Sequence, residues 1–185
     1  RTGNSARALR FLCLTAARSG EVRGMTWNEV DLDQALWVIP ADRMKAGREH
    51  RIPLPAGAVS LLRDQARLEG SDFVFFAPQG GMLSDMSLSA VMRKLQQAEE
   101  RAGGDGYLDT RSGRPAVPPG LRSTFRDWAA EHGYDHVLAE LALAHTVGSE
   151  VERAYRRTDM LTRRRAMLED WAAILNGQPS VQNPA

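Results

Sequence analysis

The stretch Leu141–Arg157, LALAHTVGSEVERAYRR, sets one histidine ten positions ahead of one tyrosine and crowds Arg153, Arg156 and Arg157 around that tyrosine. Packing usually places a tyrosine, ring inward and hydroxyl wet. A cluster of guanidinium groups adds something packing does not need: nearby positive charge favours an ionised phenol. On a helix, Arg153 stands three or four positions from Arg156 and Arg157 and shares a face with them. That basic face is suited to an anionic partner, although solvent alone can also satisfy it. What His145 and Tyr155 do together depends on which other residues the chain supplies.

The chain has 185 residues, enough for one domain with a sizeable core. It begins at Arg1 and not at a methionine, which reads as a piece of something longer. Apolar residues make up 43% and charged residues 25%, ordinary for a soluble globular protein. No apolar run reaches membrane-spanning length and no signal peptide is visible, so no membrane partner is expected. The lone Cys13 excludes an internal disulfide and fits a reducing cytosol. A net charge of +1 is weak support for a nucleic-acid partner. The basic residues are lopsided, however: only Lys45 and Lys94 are lysines, and the other 22 are arginines. Arginine grips phosphate bidentately and keeps its proton, whereas lysine can give one up. Lys94 reads as a leftover; Lys45 asks for a reason.

Apolar periodicity predicts helices over Ser5–Arg18, Gly20–Met25 with Ser19 as N-cap, and Pro55–Glu69. Further helices are expected over Ser87–Arg101, Arg122–His132, Asp135–Leu143, Ser149–Arg157 and Asp159–Asn176. Short strands are expected at Leu36–Pro40, Arg51–Leu54 and Asp72–Phe76, with Gly47 turning the first hairpin. Gly103–Gly120 shows no periodicity and is long for a structureless loop, which points to function or mobility. The sum is an α+β domain, mostly α, with a small antiparallel sheet of about three strands. Residues 1–177 form this domain and 178–185 a disordered tail.

Five residues carry chemistry: Arg18, Lys45, Arg122, His145 and Tyr155. Singly, each has an ordinary structural explanation, as a helix cap, a turn, a surface charge, a core histidine or a packing tyrosine. Together they meet the needs of breaking a phosphodiester without a metal. A tyrosine can attack phosphorus and store the bond as an ester. Arginines can clamp the oxygens where charge builds in the transition state. A lysine can protonate the leaving oxygen. The four histidines do not fall in a metal-ligand spacing with Cys13, and no Gly-rich phosphate loop occurs. Neither a metal nor a cofactor is implied.

In this order the set resembles the catalytic domain of the tyrosine recombinases, or phage-type integrases, and most of all those of P4-type prophages and genomic islands. The resemblance runs from about Ser5 to Leu175. Its motifs are TAARSGEVRGMTW, MKAGREHRIPLP, GLRSTFRDWAAE, LAHTVGSEVERAYRR and the closing RRRAMLEDWAAIL. It implies that Arg18 and Arg122 hold the scissile phosphate, Lys45 is the general acid, His145 hydrogen-bonds the phosphate and Tyr155 is the nucleophile. It gives Glu21 a supporting role and Arg153, Arg156 and Arg157 a place on DNA. It also implies a bacterial, cytoplasmic protein, associated with the nucleoid when bound to double-stranded DNA at attachment sites. A synaptic tetramer would form on that DNA and a monomer off it, and the family's N-terminal DNA-binding domains would be absent from this chain.

One position departs from the family's pattern. Where a histidine is usual, three residues before the second arginine, this chain has Pro119, which offers neither a side-chain donor nor a backbone N–H. Two rivals to an active recombinase therefore stand: a catalytically impaired DNA-binding remnant, and a type IB topoisomerase-like enzyme that relaxes DNA alone.

Overall fold

An apolar residue at every third or fourth position makes the first helix, and that helix becomes the axis of the fold. A computed structural model of the chain describes residues 3–148 and 158–178. Helix α1 (Asn4–Thr15) buries Ala8, Leu9, Phe11, Leu12 and Leu14. Four elements pack on it: α3 (Ala56–Arg63), α4 (Ser87–Arg101), α5 (Pro118–Glu131) and α7 (Leu161–Leu175). Helix α2 (Ser19–Arg23) follows α1 directly, and α6 (His136–Ala142) lies between α5 and α7. None of these helices is long and apolar enough to cross a membrane.

Three short antiparallel strands in the order β1-β2-β3 form the sheet: β1 (Val30–Asp31), β2 (Leu36–Ile39) and β3 (His50–Pro53). The register pairs Trp37 with Ile52 and Ile39 with His50. Directly paired residues share a face, so the buried face carries Trp37, Ile39, Ile52 and His50 together. Arg51, one step off, points outward. Helix α7 is bolted to this sheet by polar contacts: Arg165 donates to the carbonyls of Gln34 and Ala35, and Glu169 accepts from the Ala56 N–H at the start of α3.

Several expected boundaries move, each for a local reason. Helix α1 stops at Thr15 because Ala16 turns left-handed (φ 51°), so Arg18 does not end that helix; it is the N-cap of α2, with Ser19 the first helical residue. Helix α3 ends at Arg63. The next turn instead buries Gln65, whose amide donates to the Val74 carbonyl and accepts from the Arg7 guanidinium. The third strand is Val30–Asp31; Asp72–Phe76 makes only single bridges, to Thr26 and Met82. Helix α5 begins at Pro118, two prolines being at home in a first turn, which places Arg122 in the second turn. Within Gly103–Gly120, a bridge from Leu108 to Pro115 closes a turn, and the Asp109 carboxylate accepts from the backbone of Arg111 and Ser112. The expected helix Ser149–Arg157 and nearly all of the expected tail lie outside the described residues.

The apolar stripe of α7 enters the common core: Met167, Leu168 and Trp171 are buried. Trp171 meets Phe125 edge-on at 5.5 Å, and its indole N–H donates to the Cys13 carbonyl at 2.7 Å. Trp171→Ala should therefore cost about 3–5 kcal/mol of unfolding free energy, the range for truncating a core aromatic. Urea denaturation of the two proteins, compared at equal slope, checks this.

Candidate active site

The end of α1, the start of α2, the second turn of α5 and the end of α6 meet in one place. Arg122 joins them. Its guanidinium donates to the Ala16 carbonyl at 2.5 Å and to the Leu143 carbonyl at 2.6 Å, and its Nη2 lies 3.3 Å from His145 Nε2. Ala16 and Leu143 are the C-caps of α1 and α6. Helix C-termini expose unpaired carbonyls and the negative end of the helix dipole, and one cation answers both. Burial, helped by the Arg18 charge, lowers Arg122 to about 10, so it stays cationic at neutral pH.

Arg18 reaches the same junction from the other side. Its backbone N–H and its Nη1 both donate to the Glu21 carboxylate, each at 2.8 Å, and its Nη2 is 3.4 Å from the Ala144 carbonyl. Glu21 is buried, and Arg43 donates to its backbone carbonyl at 2.7 Å. Arg43 also pairs with Glu29, which accepts the Trp37 indole N–H. Glu21 thus orients Arg18 while the sheet, through Arg43, holds Glu21.

His145 is more exposed than these residues and is held by Glu140, whose Oε2 is 2.7 Å from Nδ1. With the Nδ1 proton on that side, Nε2 faces Arg122. Glu140 also pairs with Arg126 at 2.6 Å. Burial would raise the Glu140 carboxyl, but the His145 bond and the charges of His145, Arg126 and His136 hold it below its usual range. Glu140 was not among the expected site residues. Its signal was nevertheless present, because it is the one acid within the apolar run HVLAELALA.

A cleft opens beside this cluster, lined by Met44, Ala46, His50, Arg51, His145, Asp159 and Arg164 among others. Lys45 sits between two of those residues in the β2–β3 connection, exposed and without a partner among the described residues. Pro119 is exposed in the first turn of α5, one turn ahead of Arg122. Tyr155, Arg153, Arg156 and Arg157 lie outside the described residues, on the segment that joins Gly148 to Thr158. So the fold brings together Arg18, Glu21, Arg122 and His145, and places Lys45 at the rim of the adjoining cleft.

The family model for the phage integrases matches residues 3–161, a span that holds all five expected catalytic residues. The chain belongs to the phage integrase family. It is 35% identical to prophage integrase IntA of Escherichia coli K12, over 90% of this chain and 38% of that protein. It is 30% identical to the integrase of enterobacteria phage P4, over 91% of this chain and 39% of that protein. The chain thus spans about two fifths of the length of these curated relatives. Among solved structures, the Tn1549 transposon integrase in complex with circular intermediate DNA superposes with a TM-score of 0.59 at 14% identity, over 86% of this chain and 56% of that one. The fold is therefore that of the tyrosine recombinase catalytic domains, as the motifs suggested.

His50 stands in the cleft wall without having been assigned a role. Its Nε2 is buried with no hydrogen-bond partner among the described residues. Burial, reinforced by the Arg164 charge, pushes its imidazole down to about 4. The folded value lies below the unfolded one, so the stabilisation is full above about pH 6.5 and is lost as pH falls towards 4. Between those limits the loss should be on the order of 3 kcal/mol. His50→Gln should flatten that part of the profile, and urea midpoints of both proteins at pH 7.5, 6, 5 and 4 measure it.

Proposed function

We propose that this chain is the catalytic domain, residues 1–177, of a site-specific DNA recombinase that breaks and rejoins strands through a 3′-phosphotyrosine. The observation that carries the reading is the convergence of Arg18, Arg122 and His145 on one junction, although 104 positions separate the two arginines in sequence. Two guanidinium groups and an imidazole in one pocket answer the negative charge that builds on the two non-bridging oxygens of a phosphodiester in its transition state.

In this reading the Tyr155 phenol gives its proton to solvent as its oxygen attacks phosphorus, the P–O5′ bond breaks, and the departing 5′-oxygen takes a proton from Lys45. A 5′-hydroxyl of a second duplex then attacks the phosphotyrosine in the reverse sense and releases the phenol. No metal or redox partner enters the balance. The remaining tyrosines support this choice by elimination. The Tyr134 phenol donates to Asp170, and burial raises its pKa further, while Tyr107 stands exposed on the turn before α5. The exposure of Lys45 fits a proton donor that must reach substrate. Double-stranded DNA is the proposed partner, with Arg153, Arg156 and Arg157 on its backbone and a synaptic tetramer as the working assembly.

Pro119 favours a second reading, an impaired DNA-binding remnant, because no imidazole stands at that turn. A nicked suicide duplex with a randomised core separates the two, since only a live enzyme accumulates a covalent adduct. Adduct should form with the unaltered chain and disappear in Tyr155→Phe, which keeps the ring. Adduct that persists in that variant and maps to Tyr107 or Tyr134 refutes the assignment.

Lys45→Arg keeps the charge and loses the acid, so cleavage should slow by about 10²-fold or more. A duplex with a 5′-bridging sulfur has a leaving group that needs little protonation and should restore the rate of that variant. A rate that stays low with sulfur counts against the acid role.

A further inference from the structure

Arg164 interrupts the apolar stripe of α7 and yet is only 2% exposed. Packing does not call for a charge there, since Met167, Leu168 and Trp171 already fasten the helix to the core. Taking a guanidinium out of water is costly unless its donors are answered. One Nη donates to the Arg51 carbonyl and the other to the Asp159 carbonyl at 3.2 Å, with the Asp159 carboxylate 4.0 Å away; Nε has no partner among the described residues. The Arg51 side chain closes the same knot from solvent, 3.3 Å from the Asp159 carboxylate.

The two carbonyls belong to segments of separate consequence. Arg51 is in β3, the strand leading out of the connection that carries Lys45. Asp159 comes four residues after Tyr155, so the two Cα atoms are within about 14 Å of each other whatever path the chain takes. Arg51, Asp159, Arg164 and His145 line one cleft. A methionine would fill much of the volume of Arg164 but would lose both carbonyl bonds, leaving strand and segment joined only by the exposed Arg51–Asp159 ion pair.

We propose that Arg164 is a positioning residue of the cleavage reaction: by tying the Asp159 and Arg51 carbonyls together, it fixes the downstream end of the tyrosine-bearing segment to the strand that follows Lys45. The inference rests on reading Tyr155 as the nucleophile. Arg164 itself meets no substrate and acts through the chain it holds.

The test uses the full chain with Arg164→Met and Arg164→Lys, and the pooled suicide duplexes with a randomised core. If the latch aims the nucleophile, the single-turnover rate constant falls about 10-fold or more in Arg164→Met, because an ångström of misplacement can cost about 10²-fold. The final adduct amplitude and the gel-shift affinity stay near those of the unaltered chain, and Arg164→Lys recovers part of the rate. The defect persists with the 5′-bridging sulfur duplex that restores Lys45→Arg. If Arg164 only keeps the domain folded, amplitude falls while the surviving molecules react at the normal rate, and that result overturns the proposal. Hydrogen exchange gives a reading independent of catalysis: amides of Thr158–Leu161 should exchange at least 10-fold faster in Arg164→Met, with those of α1 unchanged. Equal exchange in both regions also overturns it. Adduct that survives Tyr155→Phe refutes the nucleophile assignment, whereas loss of adduct there with normal cleavage by Arg164→Met refutes the latch alone.

Discussion

One guanidinium closes two helices. Helices α1 and α6 both end where a left-handed alanine, Ala16 or Ala144, turns the chain away and leaves carbonyls without intrahelical partners. Arg122 donates to a carbonyl at each end, and so binds the central helix of the core to the helix that presents His145. Remove the cation and two buried helix termini lose the group that satisfies them. The same cation then faces a pocket where an anion is expected. Stability and proposed chemistry are therefore served by one charge, which is why that charge sits on a helix anchored by Phe125 and Trp128 in the core.

The cations around the pocket are not left bare. Arg18 is held by Glu21, and His145 by Glu140. Each acid is largely buried and itself supported, Glu21 through the Arg43 contact to its backbone and Glu140 through Arg126. A pocket of unpaired cations would repel itself in the absence of ligand; paired acids relieve that and fix the direction in which each donor points. The near-neutral net charge of the chain reflects this arrangement. The attraction proposed for DNA is therefore local and does not come from the overall charge.

The sheet supplies the opposite wall of the cleft. Its register turns His50 inward beside Ile52 and leaves Arg51 to meet Asp159. At the start of α7, Arg164 donates to the Arg51 carbonyl of β3 and Arg165 to the Gln34 and Ala35 carbonyls of the β1–β2 turn. Just past Thr158, Asp159 is tied to the strand that follows Lys45.

Much of this was legible in the sequence. Helical periodicity placed α4 and α6 closely, because their apolar faces repeat at the helical period and nothing local contradicts it. The motifs around Arg18, Lys45, Arg122, His145 and Tyr155 carried the family, because the proposed reaction would need those side chain types whatever surrounds them. The sequence could not tell that Arg18 begins a helix rather than ending one, since that depends on one left-handed alanine. Nor could it pick Val30–Asp31 over Asp72–Phe76 as the third strand, because strand pairing is decided by which segment lies beside β2 in space. Glu140, His50 and Arg164 were given no role from the sequence. Only the tertiary structure makes them partners of His145, of the cleft wall and of Asp159. The Arg164 bond to the Arg51 carbonyl and the Arg122 bond to the Ala16 carbonyl each span more than a hundred positions, and such bonds leave no local periodicity in the sequence.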